Sequence, residues 1–151
     1  MEAFRIVVPY SVDAGYEEDE VGWVLKMLEE VLACYGGDPA KFHIGGYSNG
    51  GLLEFEVMLA HPERFATLLG VPGAFPGWTK PSAWARALAG HAVFNGVGAN
   101  DLAWKDNAKD TNDALVAAGI DSVYVEFANQ AHVVNEAFDE SIFFDFWAKH
   151  S

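Results

Sequence analysis

The sequence predicts an α/β fold, with a mainly parallel sheet of about five strands and helices on both faces. Short apolar or β-branched runs alternate with helical segments along the whole chain. This alternation requires crossover connections, which make neighbouring strands parallel and place the helices against the sheet. The length of 151 residues fits one domain covering 1–151, and the 51% of hydrophobic residues can supply its core.

Five short runs predict the strands, because each is rich in apolar or β-branched residues and is bounded by turn-forming residues. In chain order these strands are 4–8, 41–47, 65–71, 92–98 and 122–127. The first run, FRIVV, ends at Pro9 and indicates a buried strand.

Five further segments predict the helices, which are 17–35, 49–61, 82–89, 106–118 and 135–149. The first opens with acidic residues, which the positive end of the helix dipole favours, and stops at Gly36-Gly37. Its apolar residues recur at three- and four-residue spacing and form one face. Between the third strand and the third helix, 72–81 holds three of the six prolines and predicts a loop.

The charge balance excludes several classes of partner. With 9 basic and 22 acidic residues the formal net charge is −13, so nucleic acids and anionic membranes are poor candidates. The chain shows no signal segment and no apolar stretch of membrane-spanning length, which predicts a cytoplasmic protein. Cys34 is the only cysteine, so we expect a buried small hydrophobe and no multi-cysteine metal site.

A G-x-S-x-G motif, Gly46 to Gly50, follows the second predicted strand and opens the second predicted helix. In that context a serine sits on a tight, strained turn, and the flanking glycines remove Cβ atoms that would clash across it. Ser48 is therefore the candidate nucleophile. The N–H of Asn49, at the helix N-terminus, is the candidate oxyanion donor.

Two other interpretations compete for this glycine-rich run. A phosphate loop needs a lysine after its glycines, and none follows here. A Rossmann fingerprint is absent as well. The remaining alternative is a serine in an ordinary tight turn.

A serine nucleophile needs a base and an orienting carboxylate, which two other loops supply. Of the five histidines, His132 alone lies in a loop directly after a predicted strand, at the serine's end of the sheet. Asp101 follows the fourth strand, and Asp106 is the second choice because it begins a helix. Ser48, Asp101 and His132 occur in the chain order described for α/β-hydrolases.

On these residues the chain resembles the esterase and polyhydroxybutyrate-depolymerase-like branch of the α/β-hydrolases. Residues 38–51, DPAKFHIGGYSNGG, are similar to the family pattern D-P-x-[RK]-V-[YH]-[VI]-x-G-x-S-N-G-G. Residues 61–66, 98–101 and 131–132 resemble the step to the next strand, the acid turn and the base turn. The resemblance implies a minimal α/β-hydrolase fold with Ser48 as nucleophile, and the acid and base named above.

The sequence departs from this family at its beginning. The family's second oxyanion donor comes from a loop that is often His-Gly-Gly, and this chain has no His-Gly dipeptide. We therefore expect the usual N-terminal strands of the family to be missing, and the backbone at Tyr10 and Ser11 is the candidate substitute donor. An uncovered sheet edge exposes unpaired backbone N–H and C=O groups that another chain can bind, so we expect a homodimer or a higher homo-oligomer.

Together these features predict a serine esterase that acts on small to medium acyl esters without a metal or an organic cofactor. Phe75, Trp78 and Trp104 are candidates to line the substrate site, with ordinary packing as the alternative. A degenerate hydrolase-like binding module, or a fragment with little activity, is the second hypothesis. The third hypothesis is an acyltransferase, a thioesterase or a peptidase. Such an enzyme would use the same serine chemistry but would cleave another bond or transfer the acyl group to another acceptor.

Overall fold

The computed structural model describes residues 5–8, 20–75, 84–135 and 139–150. These residues belong to two compact units, 1–37 and 38–151. The smaller unit contains helix α1, Glu20–Tyr35, which confirms the predicted helix from its fourth residue onward. Arg5 Nη1 donates a hydrogen bond to the carbonyl oxygen of Tyr35 at 2.9 Å and thereby fixes residues 5–8 to the end of α1.

Two expectations about this smaller unit are wrong. The described part of the predicted first strand, 5–8, forms no strand, and its Ile6 and Val8 are exposed. A β-branched run favours a strand only where a neighbouring strand pairs with it, and none of the described strands does so. Cys34 is exposed rather than buried.

The larger unit is built on a four-stranded parallel sheet with the order β1-β2-β3-β4. The strands are β1 His43–Gly46, β2 Thr67–Gly70, β3 Ala92–Gly98 and β4 Asp121–Phe127. They confirm the second to fifth predicted strands, and β3 has the predicted bounds. The described sheet therefore has four strands instead of about five, because 5–8 does not join it.

Three α-helices that lie wholly within the described residues of this unit follow its strands: α2 Asn49–Ala60, α3 Lys105–Ala117 and α4 Ser141–Lys149. Short 3₁₀ helices cover Pro39–Lys41, Pro62–Arg64 and Arg86–Leu88, the last within the predicted helix 82–89. The last helix begins six residues later than predicted. Asn135 instead belongs to the preceding turn, where its N–H donates to Gln130 Oε1 at 3.1 Å.

Helices lie on both faces of the sheet, as predicted. Neighbouring residues in a strand point to opposite faces. On β3, the ring of Phe94 packs at 5.5 Å from Phe143 and 5.6 Å from Phe146, which belong to α4. The next residue, Asn95, donates to the Ala108 carbonyl of α3 from the other face at 3.3 Å.

The parallel arrangement brings three loops to one edge. Ser48 follows β1, Asp101 follows β3 and His132 follows β4. The carboxyl ends of parallel strands share one edge, where functional loops of such sheets lie. None of the described helices is both long and apolar enough to cross a membrane.

Candidate active site

Ser48 occupies a strained turn between β1 and α2. Its backbone has φ 58° and ψ −116°, a conformation that a residue with a side chain rarely adopts. A Cβ atom at Gly46 would overlap the carbonyl oxygen of Gly50, so glycine at this position lets the turn close. The site of a Cβ at Gly50 is open, which corrects the expectation that both glycines of the motif are needed to avoid a clash.

Asp101 lies in a turn that packs against the loop after β4. Its N–H donates to the Gly98 carbonyl at 2.9 Å, and its own carbonyl accepts from the Lys105 N–H at 3.0 Å. A Cβ at Gly98 would overlap the Ala131 carbonyl oxygen, so glycine permits the close approach of the two loops. The side chain is 4% exposed, which protects its carboxylate from most competing water.

His132 is held by the loop that contains Gln130. The Gln130 side chain is buried and accepts the Asn135 N–H at 3.1 Å, while the Gln130 carbonyl accepts the Asn100 N–H at 2.8 Å. These bonds close the loop around His132 and join it to the turn before Asp101. The imidazole of His132 is half-buried, and the bonds made by residues before and after His132 hold this loop in place.

The three candidate residues form one hydrogen-bonded row. His132 Nδ1 lies 2.6 Å from Asp101 Oδ2, and His132 Nε2 lies 2.8 Å from Ser48 Oγ. Because a carboxylate only accepts hydrogen bonds, Nδ1 donates to Asp101 and Nε2 is left to accept from the serine hydroxyl. The arrangement has the atoms that proton transfer from a serine hydroxyl requires.

Comparison with solved structures identifies the fold. The chain is similar to a thermostable esterase (TM-score 0.65, 19% identity, 74% of this chain). It is also similar to Arabidopsis thaliana SOBER1 (TM-score 0.65, 19% identity, 85% of this chain). The chain has an α/β-hydrolase fold. No protein-family model and no curated protein matches the sequence.

The chain spans only part of the α/β-hydrolase structures that it matches. It covers 29% of the thermostable esterase and 61% of SOBER1. An uncharacterized protein from Bacillus cereus ATCC 10987 gives a TM-score of 0.76 at 15% identity, and the chain covers 48% of it.

Two aromatic rings flank the imidazole of His132. The Tyr47 ring lies 5.2 Å from His132, and the Trp104 ring lies 5.8 Å from it on centroid distances. Burial, and secondarily the charge of Asp101, raise the pKa of the Tyr47 hydroxyl. Trp104, which the sequence offers as a candidate to line the substrate site, thus lies beside the candidate base. Tyr47 is not among the residues that the sequence analysis proposes, although its place directly before Ser48 is a signal for it.

The remaining predicted site residues are placed as follows. Asn49 is exposed, and no described residue accepts a hydrogen bond from its N–H. Phe75 is 2% exposed, and its ring lies 5.1 Å from the ring of Phe55. This is ordinary core packing, the alternative that the sequence left open beside a role in the substrate site. Trp78, Tyr10 and Ser11 lie outside the described residues.

Asp106 and His43 do not belong to the row. Asp106 lies exposed in the first turn of α3, consistent with its second rank as the acid. His43 Nδ1 bonds Thr67 Oγ1 at 2.8 Å, and burial, assisted by the charge of His150, lowers the His43 pKa. Within the described ranges, no three His, Cys, Asp or Glu side chains cluster as metal ligands would.

Proposed function

We propose that this protein is a serine hydrolase that cleaves carboxylic esters through an acyl-enzyme intermediate. The single observation that supports this most strongly is the hydrogen-bonded row from Ser48 through His132 to Asp101. The strained backbone of Ser48 adds weight, since such strain concentrates at functional sites. The proposal is also supported by the position of the three loops at the carboxyl edge of the parallel sheet, where functional loops of such sheets lie.

In the first half of the reaction, His132 Nε2 takes the proton from Ser48 Oγ as that oxygen attacks the ester carbonyl. Asp101 stabilises the imidazolium ion that forms, because its carboxylate accepts from Nδ1–H. The imidazolium then gives its proton to the leaving alcohol. Ser48 is left as an ester of the acyl group.

In the second half, His132 removes a proton from water, which attacks the acyl group on Ser48. Return of the proton to Ser48 Oγ releases the carboxylic acid and restores the row. Both tetrahedral intermediates carry an oxyanion. The N–H of Asn49 is the proposed donor to it, since that group begins α2 and has no acceptor among the described residues.

We further propose that the backbone at Tyr10 and Ser11 supplies the second oxyanion donor, and that small to medium acyl esters are the substrates. Loss of one donor lowers kcat by about 10²–10³. The rings of Tyr47 and Trp104 beside His132 supply apolar surface for an acyl or alcohol group.

Hydrolysis of p-nitrophenyl esters, from acetate to octanoate, tests this function. We expect turnover by the wild-type protein and a loss of about 10⁴–10⁶ in kcat for Ser48→Ala and for His132→Ala. His61→Ala is the matched control, because His61 closes α2 at the end opposite Ser48. Hydrolysis that survives Ser48→Ala unchanged would contradict the proposal.

The partial coverage of known hydrolases supports a second candidate, a hydrolase-like module with little activity of its own. A folded protein that turns over no ester in the panel would favour it. Acyltransferase, thioesterase and peptidase activities share the acylation step. Thioester and peptide substrates, and added alcohol acceptors, therefore belong in the same panel.

We also propose a homodimer or a higher homo-oligomer. β1 lies at one end of the sheet order, so none of the described strands pairs with its outer side. Unpaired strand edges favour association with another chain. Light scattering at micromolar concentration tests this proposal, which a monomeric mass would contradict.

A further inference from the structure

A carboxyl group lies directly behind the Ser48 turn, and the proposed mechanism does not use it. Glu54 is on α2, six residues after Ser48, and its side chain is 0% exposed. Neither of its carboxyl oxygens has a well-formed hydrogen bond in the described residues. Buried polar groups in native proteins are rarely left without partners, so this carboxyl requires an explanation.

Three glycines surround the Glu54 carboxyl. A Cβ atom at Gly70 or at Gly73 would lie 2.8 Å from Glu54 Oε1, so glycine at both positions leaves room for the acid. The third, Gly46, is two residues before Ser48, and the polar interaction of its N–H with the carboxyl favours the ionised form. The carboxyl thus fills the space between the nucleophile turn and the turn after β2.

A backbone hydrogen bond connects the Ser48 turn to the turn after β2. The Gly46 carbonyl accepts the Val71 N–H at 2.9 Å. Gly73 is held in turn by Asn95, which accepts its N–H at 3.1 Å and donates to its carbonyl at 2.8 Å. A change in the space between these turns must therefore move Gly46 or break bonds that Asn95 maintains.

No described charged group stabilises an ionised Glu54. Burial raises its pKa well above the ordinary value of 4.5, and only the Gly46 N–H opposes this rise. The elements that pack on α2 carry few titratable or charged side chains, and none of these side chains contributes to the shift of the Glu54 pKa. These side chains are His43, Glu63, Arg64 and Arg86.

We propose that Glu54 is a positioning residue for the nucleophile: as a neutral acid it sets the Ser48 turn, and as a carboxylate it displaces that turn. A carboxylate requires hydration that this space does not provide. Ionisation therefore draws water between the turns and moves Ser48 Oγ away from His132 Nε2. The kinetic part of this inference rests on the proposed hydrolase function, whereas the structural part does not.

The kinetic test compares pH profiles of kcat for p-nitrophenyl acetate between about pH 6 and about pH 10. We expect the wild-type rate to fall as pH rises through the raised pKa of Glu54, by up to about tenfold per pH unit, and the rate of Glu54→Gln to show no such fall. Glutamine has the same shape and cannot ionise. Glu56→Gln, an exposed glutamate on the same helix, should retain the fall.

Tyr47→Phe tests whether the fall in rate comes instead from the Tyr47 hydroxyl. This hydroxyl titrates at alkaline pH, and the Tyr47 ring contacts His132. We expect Tyr47→Phe to retain the fall that Glu54→Gln removes. The inference is overturned if Glu54→Gln keeps the fall, or if Tyr47→Phe abolishes it.

A structural readout distinguishes failure of this inference from failure of the hydrolase function. In NMR spectra, the Gly46 amide should shift with pH in the wild-type protein, with the midpoint of the Glu54 carboxyl carbon. If no ester is turned over but the Gly46 amide titrates, the positioning role stands alone. A Gly46 amide that does not follow Glu54 overturns the role. If Glu54→Gln fails to fold, Glu54→Met replaces it in the pH profiles.

Discussion

His132 Nδ1 lies 2.6 Å from the Oδ2 atom of Asp101, although 31 residues separate the two in the chain. The contact joins the loops after β3 and β4, which are neighbouring strands of the sheet. Because Asp101 is buried and accepts from Nδ1, it fixes both the orientation and the tautomer of the imidazole. Nε2 is thereby directed to Ser48.

Replacement of Asp101 by asparagine should therefore impair catalysis without unfolding the protein. An asparagine can donate to Nδ1 and favour the wrong tautomer, which lowers kcat by about 10⁴ in a comparable site. Ester hydrolysis and thermal unfolding are the measurements. Asp106→Asn, in the exposed first turn of α3, is the control and should stay near wild type. Equal losses in both variants would refute the assignment of the acid.

The two glycines of the G-x-S-x-G motif should respond differently to alanine. Gly46→Ala introduces a Cβ that overlaps the Gly50 carbonyl, so the Ser48 turn must open and ester hydrolysis should be lost. Gly50→Ala places its Cβ in open space and should retain activity within about threefold. Rates and melting temperatures of the pair test the geometry. An inactive, folded Gly50→Ala variant would contradict it.

Asn95 should contribute strongly to stability, since it is fully buried and satisfies both backbone groups of Gly73. Asn95→Ala leaves these groups without partners and should lower the free energy of unfolding by about 3 kcal/mol. Urea unfolding measures the change. Asn100→Ala, an exposed asparagine, should change the free energy by less than about 0.5 kcal/mol. A loss for Asn95→Ala no larger than this control would be inconsistent with the bonding.

His43 should make stability depend on pH on the acidic side. Burial lowers its folded pKa below the ordinary value of 6.5, so the unfolded chain binds the proton more readily. The free energy of unfolding should fall as pH drops below about 6.5, and His43→Gln should remove part of that slope. Urea unfolding at several pH values measures it. The difference between wild type and variant should stay constant above about pH 8, where the imidazole is neutral in both states.

The sequence was most informative where local signals and topology agree. The bounds of β3 and the elements that carry Ser48, Asp101 and His132 were predictable, because parallel strands send their following loops to one edge. The absence of a strand over 5–8 was not predictable, since strand formation depends on a neighbouring strand and not on β-branched residues alone.

Burial of a polar residue was equally hard to foresee. Glu54 is a glutamate in a helix, a residue type that is almost always exposed. Its burial depends on Gly70 and Gly73, which come from another strand and its following turn. The exposed Cys34 shows the reverse error, because apolar neighbours in sequence did not make it part of a core.

A fluorophosphonate probe followed by mass spectrometry shows whether Ser48 is an activated nucleophile. We expect one phosphonyl adduct per chain on the peptide containing Ser48, with no adduct in Ser48→Ala. Ser141→Ala, at an exposed serine that begins α4, should label like the wild type. A folded wild-type protein that stays unlabelled, or labelling that persists in Ser48→Ala, would show that Ser48 is not the nucleophile.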